Sequence, residues 1–171
     1  SLPLIPAILI SDSGSPRGPW RAVDIQSTSK NPDGSLFEYP ETGLIIHGPK
    51  ISAIVRGEQS RALIYESADF GNSWSPPNFI MLPISGKSKI TAGTLSNGRD
   101  YVIGNREGMD RDQLIIAFRN KGSKRFTKTY LLQNGPNPKL EASPEWSYPS
   151  AHHLYLRKEI GIHECYSSGC Q

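Results

Sequence analysis

Cysteine is scarce. The chain of 171 residues has two, Cys165 and Cys170, five positions apart at its C-terminal end. Two thiols are too few for a zinc site, so they make either a local disulfide or a pair of free thiols. Long apolar runs are missing as well. Nothing approaches the roughly 20 residues that cross a bilayer, and no charged-then-apolar leader is visible, so no membrane span is expected. Charge of one sign is not concentrated anywhere. The net charge is +3, from 19 Lys and Arg against 16 Asp and Glu, and the excess is dispersed. No basic run resembles a nucleic-acid arm, so nucleic acid is excluded as a partner. A mild positive charge helps attract an acidic ligand without identifying one. Helical periodicity is also wanting. No dozen residues keep a clean 3.6 period, and proline interrupts most candidates.

What the chain has instead is punctuation. Sixteen Gly and 14 Pro fall between short apolar runs, which suits strands and turns. With 36% hydrophobic residues the composition is that of a folded domain with a sizeable core. β-rich runs occupy 44–46, 51–55, 62–65, 101–103, 114–118 and 129–132. They fall into a register. One hairpin turns at Gly48-Pro49-Lys50 and another at Ser96-Asn97-Gly98, about fifty residues on. Each is followed by an arginine, Arg61 or Arg111, and then by a further apolar strand. A period of this length fits propeller blades of four antiparallel strands. A β-sandwich with accidental spacing is the plainer alternative.

One motif sharpens the choice. Ser67-Ala68-Asp69-Phe70-Gly71-Asn72-Ser73-Trp74 fits the Asp-box S-x-D-x-G-x-[ST]-W. Its residue types suit a tight turn between two strands. Asp69 can accept backbone N–H bonds, Gly71 can take positive φ, and Trp74 can pack into the blade. A degenerate copy runs Phe118-Arg119-Asn120-Lys121-Gly122, with Phe126 as its aromatic. Asn120 lies fifty-one residues after Asp69, matching the hairpin repeat. Such boxes sit on a propeller rim, so Ser67, Asp69, Gly71 and Trp74 are expected to be structural rather than catalytic.

On these residues the chain resembles the sialidase (neuraminidase) superfamily, whose β-propellers carry Asp-box, or BNR, repeats. The resemblance covers about 37–164 and fits the later blades. It implies an all-β fold with about three four-stranded blades, a partial propeller. It divides the chain into an unassigned segment 1–36, blades over 37–164 and a tail over 165–171. In this family a catalytic Glu precedes a hairpin ending in Arg; here Glu41 precedes the hairpin that ends at Arg56. A triad Arg then opens the strand leading to the Asp-box, here Arg61. The next blade supplies another, here Arg111, after the small-Asn pair Gly104-Asn105. The Tyr nucleophile begins the following blade, here Tyr148.

The resemblance therefore implies a retaining exo-glycosidase for sialic acid or a related acidic sugar. Two arginines can grip a carboxylate bidentately. A neutral Tyr hydroxyl avoids the repulsion that a carboxylate nucleophile would meet from an anionic substrate, and Glu41 can take its proton. No cofactor or metal is implied. Family members are often exported, which implies an extracellular or periplasmic location. The acid/base Asp and the first triad Arg belong to early blades and have no counterpart here. The last blade is expected to be damaged, because His152-His153 runs straight into Leu154 with no room for a turn. That His pair has no third partner for a metal. Missing blades, or a second copy of the chain, are needed to close the ring. The alternative is a propeller that binds carbohydrate or assembles without catalysis; a glycosidase for another sugar would keep the fold and lose the arginine clamp.

Overall fold

The computed structural model describes residues 4–57, 61–80, 84–108, 111–135, 146, 149–154 and 159–164, with side chains described as far as residue 151. No helix occurs among them. Twelve strands follow in order: β1 (Ala7–Ser11), β2 (Trp20–Asp24), β3 (Thr42–His47), β4 (Lys50–Val55), β5 (Leu63–Ser67), β6 (Asn78–Phe79), β7 (Thr91–Thr94), β8 (Asp100–Asn105), β9 (Gln113–Arg119), β10 (Lys128–Asn134), β11 (Pro149–Leu154) and β12 (Glu159–Glu164). Strands β3 to β6 form one antiparallel meander and β7 to β10 a second. Hairpins β1–β2 and β11–β12 flank them as two-stranded sheets.

The alternation of side chains explains the packing. Successive residues of a strand face opposite sides of the sheet. On β4, Ile54 points one way and Ala53 and Val55 the other; on β5, Ile64 opposes Leu63 and Tyr65. Val55, Leu63 and Tyr65 join Ile8, Ile25 and Phe37 in a core against the β1–β2 hairpin. Ile54 and Ile64 join Ile90, Val102, Ile115 and Ala117 in a core between the two meanders. Tyr101, Ile103, Leu114 and Ile116 face the third core with Trp146. A sheet buried on both faces needs apolar residues on both sides of each strand, which is why β4, β5, β8 and β9 carry consecutive apolar residues at 53–55, 63–65, 101–103 and 114–118. These are stacked blades.

The first strands of the blades line up on one side. Strand β3 packs on β7, close enough that a Cβ on Gly43 would meet the Ala92 Cβ at 3.0 Å and its amide nitrogen at 3.1 Å. Strand β7 reaches β11 in turn, where the Thr91 hydroxyl donates to the Pro149 carbonyl. The strands β3, β7 and β11 thus form an inner row, with β6 and β10 outermost.

Within the poorly assigned N-terminal segment, β1 and β2 pair in register from Ala7↔Asp24 to Ser11↔Trp20. One sequence expectation changes: the last blade is not truncated at its first strand. Pro149–Leu154 pairs with Glu159–Glu164, His152 lying opposite Gly161 and Leu154 opposite Glu159. His152-His153 sits inside β11.

Candidate active site

Chain direction sorts the loops. In an antiparallel meander alternate connections lie at alternate ends. Glu41, the β4–β5 loop with Arg56 and Arg61, the β6–β7 connection and the β8–β9 loop with Glu107 and Arg111 share one end of the blades. The Asp-box and the turn at 120–127 share the other.

At the box end, the sequence reading holds in detail. The motif spans the turn from β5 to β6. The Ser73 amide and hydroxyl donate to the two oxygens of Asp69 at 2.9 and 2.6 Å, and the Ser67 hydroxyl donates to it at 2.8 Å. The Ser73 hydroxyl first, then its amide and the Ser67 hydroxyl, hold the Asp69 carboxyl down at about 2. Gly71 takes φ 85°, and the Trp74 indole donates to the Gly71 carbonyl at 3.1 Å. Asp69 is wholly engaged in the turn and lies far along the blade from Glu41.

The box end also contains a polar cluster between the blades. Asp100, 1% exposed, receives Arg119 Nε at 2.9 Å and the Thr94 hydroxyl at 2.9 Å, and its other contact is His47 Nε2 at 2.6 Å. Arg119 Nη2 donates to the Ser52 hydroxyl at 2.8 Å, which donates to Glu66 at 2.9 Å. Arg119 belongs to the degenerate box, and this cluster gives it a fixed partner in the neighbouring blade.

At the opposite end, Glu41 immediately precedes β3 and meets Arg56. The Arg56 amide donates to the Glu41 carbonyl at 2.9 Å. Its Nη1 donates to Glu41 Oε2 at 3.0 Å, the Arg56 side chain being 8% exposed and that of Glu41 30%. The guanidinium carbon stands 5.0 Å from the Tyr39 ring centroid. Arg56 is thus fixed from two sides in a buried position, beside the partly exposed Glu41 carboxylate. The sequence reading passed over it as the end of a hairpin. The signal was there: an arginine directly after the buried run Ala53-Ile54-Val55 must be paired.

The other residues named from sequence have different neighbours. Arg61 is half exposed, and its Nε donates to Glu107 Oε2 at 2.8 Å, bridging the β4–β5 loop to the β8–β9 loop of the next blade. Arg111 takes φ 58°, and its Nη2 donates to the Lys87 carbonyl at 3.1 Å. The Arg111 carbonyl accepts the Trp146 amide at 2.8 Å. Buried Asn105 donates to the Trp146 carbonyl at 2.6 Å, and the Trp146 indole donates to the Gly135 carbonyl at 2.8 Å. Trp146 and Pro149 are therefore both tethered to the β7–β10 blade. Tyr148 lies outside the described residues, as do Cys165 and Cys170. No group of three or more His, Cys, Asp and Glu able to hold a metal ion occurs among the described residues.

A sequence pattern for the BNR repeat-like domain matches residues 7–154. The chain belongs to that family. Its fold is the sialidase-type propeller, in part. The intramolecular trans-sialidase of leech superposes with a TM-score of 0.62 at 14% identity, over 85% of this chain and 22% of that one. The NanB sialidase of Streptococcus pneumoniae gives 0.59 at 19% identity, over 92% and 23%. The intramolecular trans-sialidase of Ruminococcus gnavus gives 0.61 at 16% identity, over 85% and 30%. This BNR chain therefore spans less than a third of those proteins' lengths. A search among curated protein sequences found no match.

Proposed function

We propose that this BNR chain is part of a retaining exo-glycosidase acting on sialic acid or a related acidic sugar, working outside the cytoplasm. The observation carrying the reading is the Glu41–Arg56 pair, at the entry to the inner strand of a sialidase-type blade and at the end away from the Asp-boxes. An arginine already held by a ring and a carboxylate is prepared to bind a substrate carboxylate without reorganising. Arg61 and Arg111 stand in loops at the same end and complete the clamp. Tyr148 is the nucleophile. Its hydroxyl oxygen bonds to the anomeric carbon as the leaving oxygen departs, and Glu41 takes the phenolic proton. Water then cleaves the glycosyl-tyrosine, so two displacements return the original configuration. The acid that protonates the leaving oxygen comes from blades beyond this chain, or from a second copy that closes the ring.

The test is turnover of a fluorogenic sialoside by the closed propeller. Glu41→Gln is expected to lower kcat about 10²- to 10⁴-fold, and Tyr148→Phe to abolish the covalent intermediate. No turnover by the wild type, or unchanged turnover in Tyr148→Phe, removes the reading. A second reading, a propeller that binds acidic glycans without cleaving them, rests on the acid/base Asp and the first triad Arg having no counterpart among these residues. Glycan binding without hydrolysis by the closed wild type would favour it.

A further inference from the structure

Five large aromatic side chains are prominently exposed among the described residues: Trp20, Tyr39, Phe70, Phe79 and Tyr130. Trp20 and Phe70 lie at the box end, and Phe79 and Tyr130 lie on outermost strands. Tyr39 alone precedes an inner strand at the Glu41 end. It is 59% exposed, although one face of its ring is taken by the Arg56 guanidinium. The backbone holds it stiffly. The Glu41 amide donates to the Tyr39 carbonyl at 2.7 Å, closing a three-residue turn around Pro40. The Pro40 ring fixes φ at the middle of that turn, and the Thr42 hydroxyl donates to the Pro40 carbonyl at 3.2 Å. Tyr39 and Glu41 are thus presented together on one rigid turn.

We propose that Tyr39 is a stacking platform for the neutral sugar unit to which the acidic sugar is joined. This deepens the acidic-sugar reading and rests on it. The physical case has three parts. A sugar ring offers one face made of C–H bonds, slightly positive, and the face of an aromatic ring is negative. Exposure rises outward from Arg56 to Glu41 to Tyr39, so a ligand whose carboxylate meets Arg56 extends its next unit past Tyr39. The turn is already ordered, so little conformational entropy is lost on stacking.

The experiment measures binding of 3'-sialyllactose, N-acetylneuraminic acid and lactose to the 171-residue chain by ligand-observed NMR titration, for the wild type, Tyr39→Ala and Tyr39→Trp. The wild type is expected to prefer 3'-sialyllactose to N-acetylneuraminic acid by about fivefold, the worth of one aromatic contact. Tyr39→Ala brings that ratio to about one, any loss of affinity through Arg56 falling equally on 3'-sialyllactose and N-acetylneuraminic acid, and Tyr39→Trp keeps the preference. A ratio unchanged in Tyr39→Ala overturns the platform and leaves the acidic-sugar reading standing. Lactose binding that depends on Tyr39, with no binding of N-acetylneuraminic acid, overturns the acidic-sugar reading and the proposal resting on it. Thermal melting of each variant checks that the fold is retained.

Discussion

At the residue scale, two titrating side chains report on opposite limbs of the stability curve. Asp69 has its carboxyl held near 2, below the ordinary 3.8, by the Ser73 and Ser67 donors. The unfolded chain then binds the proton more readily, so this contribution is complete above about pH 3.8 and is lost as pH falls towards about 2. Urea midpoints of the wild type should fall across that window, and those of Asp69→Asn should be flatter there and lower at neutral pH. Tyr65 behaves in the opposite sense. Burial pushes its hydroxyl from 10.0 up to about 12, while the O–H donates to Gln26 Oε1 at 2.6 Å. Stability should hold below about pH 10 and decline between about 10 and 12, as the unfolded phenol ionises and the buried one resists. Tyr65→Phe should remove that alkaline decline in the same measurement.

At the scale of strands, the contacts between blades decide whether the meanders stack. Gly43 is where β3 comes nearest to β7. A Val there would press on the Ala92 backbone and on the Ile90 carbonyl, which lies 3.3 Å from the added Cβ. Gly43→Val is expected to cost about 1–3 kcal/mol, read by chemical denaturation. The polar cluster at the box end is more sensitive. Asp100 is buried between Arg119, Thr94 and His47, so Asp100→Ala leaves the Arg119 charge buried without its carboxylate. A loss of about 3–5 kcal/mol is expected. Replacing Arg119 and Asp100 together by apolar residues should recover much of it, because the uncompensated charge is then gone. A double-mutant cycle measures that coupling.

At the scale of the molecule, the described residues form two four-stranded blades and two flanking hairpins, part of a propeller rather than a closed ring. Glu41 stands at the entry to the inner strand β3, while the β4–β5 loop carries Arg56 and Arg61 and the β8–β9 loop carries Arg111, and these loops bring Arg61 to Glu107 across a blade boundary. Closure by further strands is expected to raise the melting temperature and to be required for sialoside turnover. Comparing the 171-residue chain with a longer product of the same gene, by melting and by the fluorogenic assay, checks both.

Much of this was present in the residues themselves. The Asp-box determined its own turn, because Ser67, Asp69, Gly71 and Ser73 satisfy one another within seven residues. Strands buried on both faces declared themselves as apolar runs, and their spacing gave the repeat. Other features could not be read locally. Hairpin β1–β2 carries exposed Leu9 and Trp20, so its pattern is weak until Ile8 and Ile25 meet the next blade. Arg56 acquired its place only when the meander returned it to Glu41, and Arg61 its partner only when a second blade brought up Glu107. Charges are positioned by whichever opposite charge the fold carries to them, and that partner can be 46 residues away, as it is for Arg61. Turns are settled by neighbours in sequence; the Glu41–Arg56 pair was settled by the return of the β3–β4 hairpin, and the Arg61–Glu107 pair by the stacking of blades.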